Sequence, residues 1–285
     1  MPVRVAEVPG HHSRAARAQT EARERGPAPR PTLGVSAFKD YFSRQAAAYA
    51  DFRPTYPDEL FAWLASLAPG ATTAWDCATG NGQAALGIMP HVERVIATDA
   101  SAPQLAHAQP LPNVHYVRMR AEEAGIASGA VDVVTVAQAL HWFDIGTFFA
   151  EVRRVLRRGG IVAAWCYSLI RVAPAIDRVI DGYYFETLRD AWAPERKLVD
   201  RGYRDVPFPF DEIAAPSMSI VDSWTRGHVL GYLRTWSGTR VLQERVGRDP
   251  VLEVEQAIAP LWPDAHTPRE VRWPLSFRVG RVAAA

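Results

Sequence analysis

The sequence predicts an α/β fold built on a doubly wound, mostly parallel sheet. Three observations carry that expectation. From about residue 73, short apolar segments of strand length alternate with segments of helix length that have one apolar face. The strand candidates are apolar throughout, as a parallel sheet covered on both faces requires. The first of them runs into a glycine turn, Gly80-Asn81-Gly82, that opens a helix.

The elements follow in order. Residues 1–35 mix Arg, Ala, Pro and Gly without apolar periodicity and read as a disordered tail. A domain over 36–285 is expected to follow, beginning with leading helices over 36–70. Phe38 to Tyr49 has aromatic and alanine positions on one face, and Pro57 to Leu67 carries Leu60, Phe61, Leu64 and Leu67 at helical spacing. Pro54 and Pro57 keep the hinge between them from being helical throughout. A core over 71–167 holds strands at Thr73–Asp76, Arg94–Thr98, Val114–Arg118, Val131–Ala137 and Ile161–Tyr167, with helices including Gly82–Ile88 and Ile145–Leu156. Residues 168–270 are less regular and rich in aromatics, with a strand expected at Ser217–Ser223 and a helix at about 227–243. Residues 271–285 hold the last strand, Val271–Val279, which rejoins the sheet near its edge, and a short tail.

Composition excludes several classes. The 285 residues carry a formal net charge of +1, which argues against a protein held to nucleic acid by phosphate neutralisation and against a polybasic membrane binder. No run of about 18 apolar residues marks a membrane span. The arginines of the N-terminal segment hint at a mitochondrial presequence, but Glu7, Glu21 and Glu24 break the acid-poor pattern that such segments need. Cys77 and Cys166 both lie in apolar segments, which fits two buried thiols in a reducing cytoplasm better than a disulfide framework. No Cys and His cluster has metal-ligand spacing, so no metal is expected.

The chemistry is expected just beyond the carboxyl ends of the strands, near the point where strand order reverses. Gly80-Asn81-Gly82-Gln83-Ala84-Ala85 satisfies a dinucleotide fingerprint, yet three neighbours weigh against that reading. Asp76 precedes the turn, where a carboxylate suits an ammonium group, whereas a pyrophosphate needs no acid there. Asp99 ends the second strand, where it can accept from both hydroxyls of a ribose. Finally, helices precede the first strand, while a nicotinamide-binding domain usually opens with it.

The motifs in order are FRPTYP (Phe52 to Pro57), DCATGNG (Asp76 to Gly82), ATDAS (Ala97 to Ser101), Ala121-Glu122, VDVVTVAQALHWFD (Val131 to Asp144), RVLRRGG (Arg154 to Gly160) and TWS (Thr235 to Ser237). With these, the chain from about Phe38 to Val279 resembles a class I S-adenosylmethionine-dependent methyltransferase. It is most similar to the small-molecule, methyltransferase type 11 branch that includes trans-aconitate methyltransferase-like proteins. The resemblance implies a Rossmann-like doubly wound sheet with an antiparallel last strand and a helical insertion after the fifth strand. It further implies that Asp76, Ala78, Gly80 and Gly82 hold the methionine part of S-adenosyl-L-methionine. Asp99 would bind the ribose, with Ala100 and Ser101 beside the adenine, Ala121 and Glu122 along its edge, and Gln138 near the methionine end. The chain departs from the family pattern at Ala78, where a glycine is usual, and at Arg158, where a proline is usual.

The methyl acceptor is expected beyond the fourth strand. There His141 is a candidate base or hydrogen-bond donor, or a histidine that shapes the pocket, and Trp142 is a candidate wall. Arg53 and Tyr56 form a second candidate pair, because a guanidinium fork suits a carboxylate of substrate or cofactor, or pins the hinge as a salt bridge. Trp236 and Ser237 are expected to face the pocket. The expected function is methyl transfer from S-adenosylmethionine to a small organic acceptor, a carboxylic or hydroxylated metabolite, with no nucleic-acid or membrane partner. A non-catalytic cofactor-binding protein and a nicotinamide-dependent oxidoreductase are the alternatives.

Overall fold

The computed structural model describes residues 52–283. The expected tail and the helix at Phe38 to Tyr49 lie outside them. The described residues form one eight-stranded sheet in the order β3-β2-β1-β4-β5-β8-β6, with β7 paired to β8. The strands are β1 (Thr73–Cys77), β2 (Arg94–Asp99), β3 (Val114–Arg118), β4 (Val131–Ala137), β5 (Leu156–Tyr167), β6 (Asp211–Glu212), β7 (Ser219–Trp224) and β8 (Arg269–Arg281). The first five run parallel, and β8 runs antiparallel against β5, as expected. Order reverses between β1 and β4, which neighbour each other in space although β2 and β3 intervene in the chain.

Burial on both faces explains why these strands are continuously apolar. In β5, Ile161, Ala163, Trp165 and Tyr167 join the hydrophobic cluster on one face, while Val162, Ala164 and Cys166 join the cluster on the other. One face is covered by α1 (Asp58–Leu67) through Leu60, Phe61 and Leu64, and by α2 (Gln83–Ile88) through Ala84, Ala85 and Ile88. The other is covered by α4 (Ile145–Val155) through Phe148, Phe149, Val152 and Val155. The short α3 (Ala102–Leu105) lies between β2 and β3 and is capped by Ser101. Cys77 and Cys166 are free and buried, and no helix among the described residues is long and apolar enough to cross a membrane.

Four boundaries differ from expectation, each for a local reason. β5 starts at Leu156 rather than Ile161, because Leu156 already pairs with Val131 of β4, and Arg157 to Gly160 form an irregularity before pairing resumes at Ile161 and Val133, with Gly159 at φ 74°. The expected helix over 227–243 is two, α7 (Arg226–Arg234) and α8 (Ser237–Val246). Trp236 between them takes an extended ψ of 136° and buries its ring in the aromatic cluster. The exposed two-residue β6 has no apolar pattern by which to announce itself. β8 is longer than Val271–Val279 because it serves three partners, pairing β7 up to Pro274, β5 from Leu275 onward and β6 at Gly280 and Arg281. Pro274, which has no N–H to donate, sits at the change-over.

The rest of the insertion comprises α5 (Pro174–Gly182), a π-helical turn (Tyr183–Thr187), α6 (Arg196–Asp200) and, after α8, α9 (Val251–Ile258). It packs over the carboxyl end of β5.

Two positions in this frame generate stability predictions. At the amino ends of the central strands, the Asp132 carboxylate accepts from the backbone amides of Thr72 and Thr73, both at 2.9 Å, and from Arg157 Nη1 at 2.7 Å. Asp132→Ala should cost about 2–3 kcal/mol in chemical denaturation, the range for hydrogen bonds to a charged group left unmade. At the other end of β1, Ala78 adopts φ 54°, a left-handed conformation that crowds its methyl group. Ala78→Gly should therefore stabilise the protein by about 1 kcal/mol in the same measurement.

Candidate active site

The turn that follows β1 has three residues at positive φ: Ala78 (54°), Gly80 (58°) and Gly82 (92°). Their alternation with Thr79 and Asn81 bends the backbone into a shallow concavity at the switch point. Glycine is required at position 82, since a Cβ there would lie 2.5 Å from Tyr116 Oη. Asp76 supports this turn from below. Thr79 Oγ1 donates to one of its oxygens at 2.5 Å and Thr135 Oγ1 to the other at 2.7 Å. The residue has no exposed surface, and burial pushes its pKa up to about 6, against the two hydroxyls, which favour the ionised form. Asp76 is thus sealed beneath the turn it braces, whereas the sequence reading placed it as an acceptor for an ammonium group.

Asp99, at the end of β2, ties the two neighbouring loops together. One carboxylate oxygen accepts from Gly80 N at 2.9 Å and the other from Ser101 N at 2.8 Å. Ala100 is half-buried beside it, and Ser101 is buried as the cap of α3. Ala121 is buried in the cluster beneath α4. Glu122 is half-buried at the rim, with Oε1 accepting from Asp144 N at 3.2 Å and Oε2 3.4 Å from Arg120 Nε.

Beyond β4 and β5 the structure encloses a cavity beneath the insertion. Gln138, at φ 55°, turns away from the end of β4 and lines it, donating to Tyr167 O at 3.4 Å. His141 and Trp142 contribute from the one-turn helix Leu140–Trp142, and Trp236 and Ser237 from the break between α7 and α8. Arg53 enters from the hinge, donating from Nη1 to Tyr167 Oη at 2.9 Å and lying 5.4 Å from the centre of the Tyr232 ring. The structure therefore brings together Arg53, Gln138, His141, Trp142, Trp236 and Ser237, which are far apart in sequence. Tyr56 is the exception. Its ring packs edge-on against Trp165 at 5.5 Å and does not line the cavity, so it belongs to the wall behind β5.

Five lining residues are not among the site candidates named from the sequence: Tyr167, Trp192, Ala193, Arg196 and Tyr232. Tyr167 was accessible to the strand-end rule, because it closes β5. Arg196 carried no such signal, since it lies in an irregular segment on a five-residue helix. Its Nε donates to Tyr184 Oη at 2.7 Å, and that hydroxyl donates to Asp200 at 2.5 Å. Its guanidinium also stacks 5.2 Å from the Trp192 ring centre. Among the described residues that line the cavity there are two guanidinium groups and no carboxylate.

His141 is buried, with Nδ1 3.0 Å from Tyr203 Oη. Burial, assisted by the positive charge of Arg196, lowers its pKa to about 3, so the imidazole is neutral at physiological pH and a weak base.

Comparison with known proteins agrees with this geometry. The methyltransferase domain family matches residues 75–164, the span from β1 almost to the end of β5. A Dictyostelium discoideum protein named as a methyltransferase is 33% identical over 236 residues, covering 81% of this chain and 88% of that one. A Saccharomyces cerevisiae protein named as an S-adenosylmethionine-dependent methyltransferase is 28% identical over 132 residues, covering 43% of this chain and 45% of its own. The solved structure of a type II methyltransferase from Anaeromyxobacter dehalogenans is 43% identical, with a TM-score of 0.78, covering 82% of this chain and all of that one. Sheet order, switch-point turn and sequence likeness converge, and the chain belongs to the class I S-adenosylmethionine-dependent methyltransferases.

Proposed function

We propose that this methyltransferase moves the methyl group of S-adenosylmethionine onto a carboxylate oxygen of a small organic acid held in the cavity beside Gln138. The observation that carries the reading is the charge of that cavity, with Arg53 and Arg196 on its walls and no carboxylate among the described lining residues. An anion gains from both guanidinium groups, whereas an amine acceptor would meet like charge.

The residues present fit the cofactor. The left-handed turn of Ala78, Gly80 and Gly82 leaves backbone room for an extended ligand, and Asp99 stands at the end of β2 beside that turn, where a carboxylate suits ribose hydroxyls. We assign the turn and its brace Asp76 to the methionine part, Asp99 to the ribose, Ala100 and Ser101 to the adenine, Ala121 and Glu122 to its edge, and Gln138 to the boundary with the acceptor. Bound there, S-adenosylmethionine supplies an electrophilic methyl group on a sulfonium.

The chain's own task is positioning. Arg53 and Arg196 hold the acid, while Trp142, Trp192, Trp236 and Tyr232 enclose it and keep water away from the reacting oxygen. A carboxylate is already ionised near pH 7, so no base is needed, which is consistent with the weakly basic His141. A phenol or alcohol acceptor would lack the proton acceptor it requires.

Two measurements test the reading. Asp99→Ala should weaken S-adenosylhomocysteine binding at least about tenfold by calorimetry, since it removes an ionised hydrogen-bond acceptor; unchanged affinity would show that the ribose lies elsewhere. Labelled methyl transfer across a panel of carboxylic acids, phenols and amines should yield base-labile methyl esters. In Arg196→Gln the KM for the acid should rise about tenfold or more, with cofactor affinity unchanged. Turnover confined to amines would overturn the acceptor class, and tight cofactor binding without any product would favour a non-catalytic role.

A further inference from the structure

Tyr203 sits in a conformation that its surroundings impose. Both Gly202 and Tyr203 take left-handed backbone angles, φ 59° and 60°. Position 202 has no room for a side chain, since a Cβ would lie 2.6 Å from Ser276 Oγ. Arg278 of β8 fixes the turn by donating from Nη1 to the carbonyls of Tyr203 at 2.9 Å, Arg204 at 3.2 Å and Val206 at 2.9 Å. A non-glycine residue held in this region is strained, and strain retained by several contacts is a reason to ask what the side chain does.

The side chain is fully buried and ends at His141, with Oη 3.0 Å from Nδ1. The fully buried hydroxyl has no other hydrogen-bond acceptor among the described residues, and a buried phenol proton needs an acceptor, so that proton is directed toward Nδ1. Nδ1 must then be the acceptor, and the ring proton resides on Nε2. Nε2 bonds to no described residue and is not sealed within the protein, while the ring lines the cavity.

We propose that Tyr203 is a positioning residue that holds His141 in the Nε2–H tautomer, making it a neutral donor to the acceptor carboxylate in the cavity. The inference rests on the carboxylate reading above. His141 then grips one carboxylate oxygen and leaves its partner for methylation, which is an orienting role rather than that of a base. The groups around the pair favour the neutral ring. Arg196 of α6 faces it with positive charge, and burial keeps the Tyr203 phenol protonated and pushes the Cys166 thiol of β5 up to about 12.

Nitrogen NMR of the histidine-labelled protein decides the tautomer, with His141 assigned through His141→Gln. The expected result is an Nε2–H ring that does not protonate between pH 8 and 5, and a mixed tautomer in Tyr203→Phe. An Nδ1–H ring, or an imidazolium at pH 6, overturns the proposal. Kinetics with labelled S-adenosylmethionine and a mixture of carboxylic acids supplies the second arm. Tyr203→Phe should raise the acceptor KM about tenfold with the cofactor KM unchanged. His141→Gln, which still donates from its carboxamide, should stay within about tenfold of wild type while His141→Leu loses more. Equal turnover in the Gln and Leu variants overturns the donor role. If the wild type methylates none of the acids, the acceptor reading fails, and the NMR result still judges the part played by Tyr203.

Discussion

The turn after β1 is the constraint on which the site depends, and two carboxylates hold it. Asp76 receives the hydroxyls of Thr79 and Thr135 from below, and Asp99 receives the Gly80 amide from the side. Together they secure a backbone whose three positive φ angles would otherwise be unfavourable, one of them on an alanine. Thr135 belongs to β4, so the same bonds bind the turn to the strand across the switch point. The Ser101 amide on Asp99 extends the lattice to the loop after β2. The loops after β1 and β2 gain their rigidity in this way from β1, β2 and β4.

Beyond this ledge the protein changes its means of construction. The core relies on strands buried on both faces, whereas the cover over the cavity relies on aromatic rings that meet edge to face. Trp236 is at the centre of that cover, 5.5 Å from Tyr184, 5.6 Å from Tyr232 and 5.8 Å from Trp192. Its place at the helix break between α7 and α8 lets one residue end a helix and roof the cavity. The two arginines are held by rings and phenols more than by acids. Arg53 bonds to Tyr167, and Arg196 bonds to Tyr184 and stacks on Trp192. Asp200 stands 3.6 Å from Arg196 Nε as its ion-pair partner.

Much of the fold was legible in the sequence because its rules are local. β4 keeps its expected bounds, Val131–Ala137, since a run of apolar residues in a two-faced sheet leaves little freedom, and the edge strand β3 keeps Val114–Arg118 although only Val114 of it is buried. The helix over 227–243 was misread because helical periodicity continues across Thr235 and Trp236, and the burial of one indole interrupts it. β6 was invisible for the opposite reason, since two exposed acidic residues pair only because β8 passes beside them. In the site, Asp76 and Asp99 were found by position at strand ends, but whether a carboxylate is open or sealed depends on hydroxyls contributed from elsewhere in the chain.

The sequence by itself determined the sheet, the switch-point turn and the family, because each rests on short-range periodicity and on motifs in fixed order. The tertiary structure decided the cavity beneath the insertion. Arg196 and Tyr203 lie in an irregular insertion whose residues have no periodic signature. They meet His141 only when α6 and the following turn fold back over β4 and β5. The same burial that hides those residues from sequence rules makes His141 neutral and Asp76 hard to ionise, since a pKa is a property of surroundings and not of residue type.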